Sequence, residues 1–178
     1  MAEYDILYST ISDADRAQIE RFNCGNGELN RYLKRNAYFE TVQRTAATQL
    51  VKVTLDNGNV WNVIGFFTVK FQFMYLDSSG ITYPVIYLKC LAMQKGEQHK
   101  GIGTQVLKHV LLQSKAVSDF AGCRAMILDS IPEYAGFYIN AGFHPSSWKI
   151  SGNKKYYSDT IRMIYDFRDN ELYNEFLE

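Results

Sequence analysis

The spacing of apolar and polar positions along the chain predicts most of its elements. Ser12-Asp13-Ala14-Asp15 offers cap residues for a short helix through Ile19. Asn26-Gly27-Glu28 leads into Leu29, Leu33 and Ala37, a helical spacing. Two β-type runs, 51–55 and 60–67, flank Asp56-Asn57-Gly58-Asn59, and Asn-Gly between such runs is a strong hairpin signal. The second run extends through Val69, Phe71 and Phe73. A loop at Asp77-Ser78-Ser79-Gly80 turns the chain back into an apolar run, Val85 to Met93. An amphipathic stretch follows with Val106, Leu107, Val110 and Leu111 on one face, which predicts a helix. Arg124 to Ser130 is a second apolar strand. In the short helix after it, Pro132 suits the first turn and Gly142 the C′ position. Thr160 to Phe167 completes the sheet, and the tail Asn170 to Glu178 is compatible with a helix or a frayed end. Antiparallel strands first, then β-α-β, predict a mixed α/β layer. With no repeats or linkers, residues 1–178 read as one domain.

Composition narrows the function only in part. A chain of 178 residues, 47% of them apolar, can bury a full core. Aromatics reach 15%, enough to build a core and to line a cleft. Nineteen basic residues balance nineteen acidic ones, which weakens a nucleic-acid reading, because phosphate binding usually leaves a basic footprint. Lys95, Lys100, Lys108, Lys149, Lys154 and Lys155 are candidates for a local patch, or ordinary solvated lysines. Cys24, Cys90 and Cys123 have no paired spacing and read as small buried hydrophobes. His99, His109 and His144 show no ligand spacing with them, so no metal is expected. The start, Met1 to Asp5, is acidic where a signal peptide is basic, and no apolar run reaches membrane-spanning length. A reducing cytoplasm is the expectation.

The stretch Gln98-His99-Lys100-Gly101-Ile102-Gly103-Thr104 carries the strongest chemical signal. It lies between a strand and a helix. A helix N-terminus presents unpaired N–H groups and the positive end of the macrodipole. Two glycines there let a phosphate approach the backbone, which predicts a pyrophosphate cradle. The loop is not a P-loop, since Gly-Lys-Ser/Thr is missing. Nor is it the dinucleotide fingerprint, which needs a third glycine at Val106.

Gln-x-x-Gly-x-Gly after a strand, followed by a strand, a short helix and Phe137-Tyr138-Ile139-Asn140-Ala141-Gly142-Phe143, resembles the GNAT N-acetyltransferase superfamily over residues 81–145. That resemblance implies a mostly antiparallel central sheet flanked by helices, with a splayed strand pair and a β-α loop for the acetyl-CoA pyrophosphate. It implies acetyl-CoA as donor and a primary amine as acceptor. Carried over by position, the backbone of Gln98, His99, Lys100, Gly101, Ile102, Gly103 and Thr104 would hold the pyrophosphate. Leu91, Ala92 and Met93 would form the splayed strand end that binds the pantetheine and acetyl groups. The family loop often has arginine where Lys100 stands; a backbone cradle tolerates this, at the loss of a bidentate phosphate contact.

The segment Phe22-Asn23-Cys24-Gly25-Asn26-Gly27-Glu28-Leu29-Asn30-Arg31-Tyr32-Leu33 resembles the toxin branch of that superfamily. Members of that branch acetylate aminoacyl-tRNA and pair with a ribbon-helix-helix antitoxin. The resemblance implies Tyr138 as the general acid, and a homodimer. Ser130 is a candidate pantetheine contact or a cap on the Pro132 helix, and Phe137 packs on the CoA chain or on the sheet. No acid in these loops stands out as a base. Two other functions fit the same loop: acetylation of a small-molecule or protein amine, and non-catalytic binding of an acyl-CoA.

Overall fold

Runs of β-branched and aromatic residues become strands in this computed structural model, which describes residues 5–55, 60–75, 80–146, 149–150 and 159–168. In chain order these residues form β1 (Ile6–Thr10), α1 (Arg16–Arg21), α2 (Gly27–Tyr32), α3 (Tyr38–Val42), β2 (Ala47–Leu55) and β3 (Val60–Tyr75). Then come β4 (Thr82–Met93), α4 (Ile102–Ala121), β5 (Ala125–Ser130), α5 (Ala135–Ile139), β6 (His144–Pro145), β7 (Lys149–Ile150) and β8 (Ile161–Asp166). The class is mixed α/β, with mostly antiparallel pairing, as the sequence predicts. The expected turn at 56–59, most of the loop at 77–80, the segment 152–157 and the tail lie outside the described residues. The described residues fall into two compact units. One runs up to Lys70 and takes in Lys89–Gly103; the other takes in Phe71–Leu88 and the chain from Thr104 onward.

In the first unit β1 pairs antiparallel with β2, and β2 with β3. Val51 opposes Gly65 while Lys52 opposes Val63, so Ile64 is the extra residue of a β-bulge. Gln18 clamps the bulged strand: its amide donates to Trp61 O at 2.9 Å and accepts from Val63 N at 2.7 Å. The core joins Phe22, Leu33, Ala37, Leu50 and Phe66 to Cys90 and Ala92 of β4. Phe22 meets Phe66 edge-on at 5.6 Å. The caps behave as predicted. Asn26 Oδ1 accepts from Glu28 N and Leu29 N. The Asp15 carboxylate accepts from Ser12 N and Oγ, and pairs with Lys52 at 2.6 Å. Unforeseen is a π-helical turn, Leu33–Ala37, between α2 and α3. Its two end residues stay buried, so the helical segment keeps one face on the sheet. Lys89 of β4 fastens that segment by contacting both Glu40 oxygens, at 2.8 and 2.7 Å. Tyr32 donates to the same carboxylate at 2.8 Å.

In the second unit β4 and β5 run parallel, with register Ile86↔Met126 and Tyr87↔Ile127. That register ends at Tyr87, although β4 continues to Met93 and β5 to Ser130. β5 pairs antiparallel with β8 along its whole length, and β6 pairs with β8. Met74, Val85, Ala125, Ile127 and Ile164 form the core. Val106, Leu107, Val110 and Leu111 of α4 are all buried, as the amphipathic spacing predicts. Among the described residues no helix is long and apolar enough to cross a membrane.

Candidate functional site

In the first unit the site begins where β4 ends. Ala92 and Met93 are buried and Leu91 is half-buried. β3 comes unusually close here. A Cβ on Gly65 would lie 2.7 Å from Met93 Sδ and 2.9 Å from Ala92 O. A side chain at this position would force Met93 and the Ala92 backbone to shift, so glycine suits the gap. The neighbouring bulge residue Ile64 accepts the Gln94 N–H at 2.7 Å. The path of β4 into the loop is thus fixed by β3.

The loop itself is tied to the strand end and to the Phe22–Leu33 segment. Gln98 Nε2 donates to Met93 O at 3.0 Å and to Cys24 O at 2.8 Å. Lys95 N donates to Asn23 O at 2.9 Å. Asn30 braces the far side: its Oδ1 accepts from Cys24 N at 2.9 Å, and its Nδ2 donates to Asn23 Oδ1 at 3.0 Å. These bonds tie the loop in place, and His99, Lys100 and Gly101 are exposed. His99 and Gly101 both have left-handed backbone, φ 62° and 80°. This curls the loop into the kind of turn whose N–H groups bind anions. A Cβ on Gly101 would meet nothing within 4 Å. Ile102 is buried and anchors the start of α4, whose twenty residues give it a full-length dipole. Its first-turn N–H groups have no intrahelical acceptor. An exposed turn with left-handed backbone ahead of a long helix stands where the sequence expects the diphosphate. Lys100 is exposed and pairs with Glu97 at 3.0 Å, so it adds a screened charge and no rigid fork.

The second unit carries Thr104, Ser130, Phe137 and Tyr138. Thr104 is exposed, in the first turn of α4. Ser130 is buried and its Oγ donates to Ile131 O at 2.8 Å, so it caps no helix. The cap position falls on Ile131, ahead of a 3₁₀ turn with Pro132 first. Phe137 and Tyr138 are half-buried on α5. Tyr138 lies edge-on to Phe137 at 5.0 Å and to Phe143 at 5.8 Å, and Phe143 packs on Tyr165 of β8 at 5.4 Å. Gly142 has φ 91°, and a Cβ there would sit 3.0 Å from the Tyr165 ring. The C′ reading of Gly142 therefore holds, and for a second reason that the sequence does not display.

Other groups are engaged or inert. Burial pushes the Cys90 thiol up to about 12, so it keeps its proton at neutral pH. Asp129 accepts from Arg162 Nε and Nη2 at 2.9 and 3.0 Å and from the Tyr87 hydroxyl at 3.1 Å. Among the described residues no group of three or more His, Cys, Asp or Glu side chains is placed to hold a metal ion. Gly65 and the side-chain bonds of Gln98 escape the sequence pattern. A lone glycine inside a strand was the available signal for the first.

Residues 14–143 match the family model described as the acetyltransferase (GNAT) family. The chain is 28% identical over 145 residues to a tRNA-acetylating toxin of Mycobacterium tuberculosis, covering 76% of this chain and 82% of that protein. It superposes on AtaT complexed with acetyl-methionyl-tRNA with a TM-score of 0.74 at 18% identity, covering 96% of this chain and 99% of that one. For AtaTR bound with acetyl-CoA the TM-score is 0.72 at 20% identity, covering 96% and 98%. At these identities the two superpositions establish a common fold.

Proposed function

The chain belongs to the GNAT acetyltransferase family and is an acetyl-CoA-dependent N-acetyltransferase; from that premise we propose that its acceptor is the amino group of aminoacyl-tRNA. The protein is then the toxin of a toxin–antitoxin pair, acting in the cytoplasm as one domain and restrained by a ribbon-helix-helix partner. The observation that carries this reading is the likeness over 145 residues to a tRNA-acetylating toxin. Two features of the first unit support it. The Phe22–Leu33 segment is bonded into the glycine loop through Cys24 and Asn23. The helical run from α2 through α3 exposes Arg31, Lys34 and Arg35 beside Tyr38 and Phe39, which are 44% and 64% exposed. Among the described residues no ion pair engages those three cations. Phosphates and bases suit such a face, through charge and stacking.

Acetyl-CoA, when bound, supplies a thioester whose acetyl group passes to the amine. The backbone of Gln98, His99, Lys100, Gly101, Ile102, Gly103 and Thr104 would cradle its diphosphate. The backbone of Leu91, Ala92 and Met93 would hold the pantetheine and acetyl groups, and a backbone N–H near Met93 would stabilise charge on the carbonyl oxygen. By the family resemblance, Ser130 and Phe137 would contact the pantetheine arm. Tyr138 would give its proton to the sulfur as the C–S bond breaks, and the proton that the amine releases as the N–C bond forms would pass to water; a phenol keeps its proton at neutral pH.

The test is transfer of radiolabelled acetyl from acetyl-CoA into a mixture of charged tRNAs, with deacylated tRNA and polyamines as parallel acceptors. Label on charged tRNA alone, lost in Tyr138→Phe, is the expected result. Label on polyamines instead would overturn the tRNA reading and leave a small-amine acetyltransferase. Full turnover in Tyr138→Phe would remove that residue from the acid role.

A further inference from the structure

The β4–β5 ladder stops at Tyr87↔Ile127, and from there a side chain continues the connection. The Tyr87 hydroxyl reaches along β5 to Asp129 at 3.1 Å. Arg162, the β8 residue directly opposite Asp129, grips the same carboxylate with two parallel bonds of 2.9 and 3.0 Å. Three donors on one carboxylate fix both its oxygens. Arg162 and Asp129 side chains are only 10% and 13% exposed, so water competes little for this pair. The chain leaving Asp129 runs through Ser130, Ile131 and the Pro132 turn into α5, which carries Tyr138. The far end of that excursion returns to the same strand, where Tyr138 leans on Phe143 and Phe143 on Tyr165 of β8.

We propose that Asp129, gripped by Tyr87 and Arg162, is a positioning residue for Tyr138. The inference rests on Tyr138 being the general acid. β8 then holds the acid-bearing segment at both ends, by a charged fork at its start and by stacked rings at its finish. An ordinary ion pair between adjacent strands would need only Arg162. The phenol of Tyr87 adds the strand on the other side of β5, at the point where backbone pairing gives out. Displacing a catalytic group by about 1 Å costs on the order of 100-fold in rate, so a small relaxation of this bridge is read in turnover.

The experiment is a double-mutant cycle on acetyl transfer from acetyl-CoA to charged tRNA or, should tRNA take no label, to polyamines. Asp129→Asn keeps the shape and removes the charge. It is expected to lower kcat by roughly 10- to 100-fold, with KM for acetyl-CoA within about threefold of the wild type. In the Tyr138→Phe background the same change is expected to cost nothing further, because the group it positions is gone. Tyr87→Phe, which deletes one oxygen, reads the same cycle with a smaller loss and serves if Asp129→Asn does not fold. Wild-type kcat in both variants would overturn the proposal, as would losses that multiply with that of Tyr138→Phe. If Tyr138→Phe alone turns over fully, the acid role fails and this inference falls with it. An impaired Tyr138→Phe with multiplying losses sinks only the inference.

Discussion

Gly65 and Gly103 are alike in the sequence and differ in what substitution does to them. At Gly65 the obstacle is protein: Ala92 O would stand 2.9 Å from a new Cβ, and a strand carbonyl yields less readily than the Met93 thioether arm. Gly65→Ala is expected to cost about 1–3 kcal/mol of stability by overpacking, measured by urea denaturation. Gly27→Ala, whose Cβ meets nothing within 4 Å, should lose little in the same assay. At Gly103 the proposed obstacle is the acetyl-CoA diphosphate. Gly103→Asp puts a side chain and a negative charge at the mouth of the cradle. Acetyl-CoA affinity by calorimetry should then fall while the melting temperature stays near that of the wild type. Unchanged affinity would remove the diphosphate from this loop. The glycine loop was legible because its two glycines and the flanking strand and helix are contiguous in sequence. Gly65 was not marked, because the strand that crowds it is some thirty residues further along the chain.

Among the elements, β5 and β8 show how charge locks a strand pair. Arg124 enters β5 and makes three bonds to Asp166 at the end of β8, with side chains 14% and 10% exposed. Burial alone would raise the Asp166 carboxyl. The hydrogen bonds from Arg124 and Arg168 outweigh it and hold the group at about 2, below its ordinary 3.8. A folded-state value depressed in this way contributes stability that is present above pH 4 and lost as pH falls toward 2. Asp166→Asn should therefore be less stable than the wild type near pH 5, by up to about 2 kcal/mol. The gap should close toward pH 2. Chemical denaturation at both pH values checks it, and a constant gap would show that the loss is packing rather than charge. Element positions themselves were readable from period and punctuation, as with the cap at Asn26 and the buried face of α4. The π-helical turn at Leu33–Ala37 was not, because Leu29, Leu33 and Ala37 also satisfy an ordinary helical spacing.

For the molecule as a whole, zero net charge counts against a nucleic-acid partner, yet charge is distributed unevenly. Arg31, Lys34 and Arg35 share an exposed helical face. Replacing all three by alanine is expected to weaken binding of charged tRNA and to flatten its dependence on salt, since fewer counterions are released. Filter binding across a salt series measures this; an unchanged slope would move the RNA to another face. What the sequence by itself determined is local: where strands and helices fall, the glycine loop, the Phe137-Tyr138 pair and, through these motifs, the acetyltransferase family. Each rests on neighbours within one element or one turn. The tertiary structure alone decided which distant groups meet. Gln98 finds Cys24 across 74 residues, Asp129 finds Arg162 across 33, and Lys89 finds Glu40 across 49. Such pairings leave no periodic trace in the chain, because a hydrogen bond depends on where the fold brings two groups and not on the spacing between them in sequence.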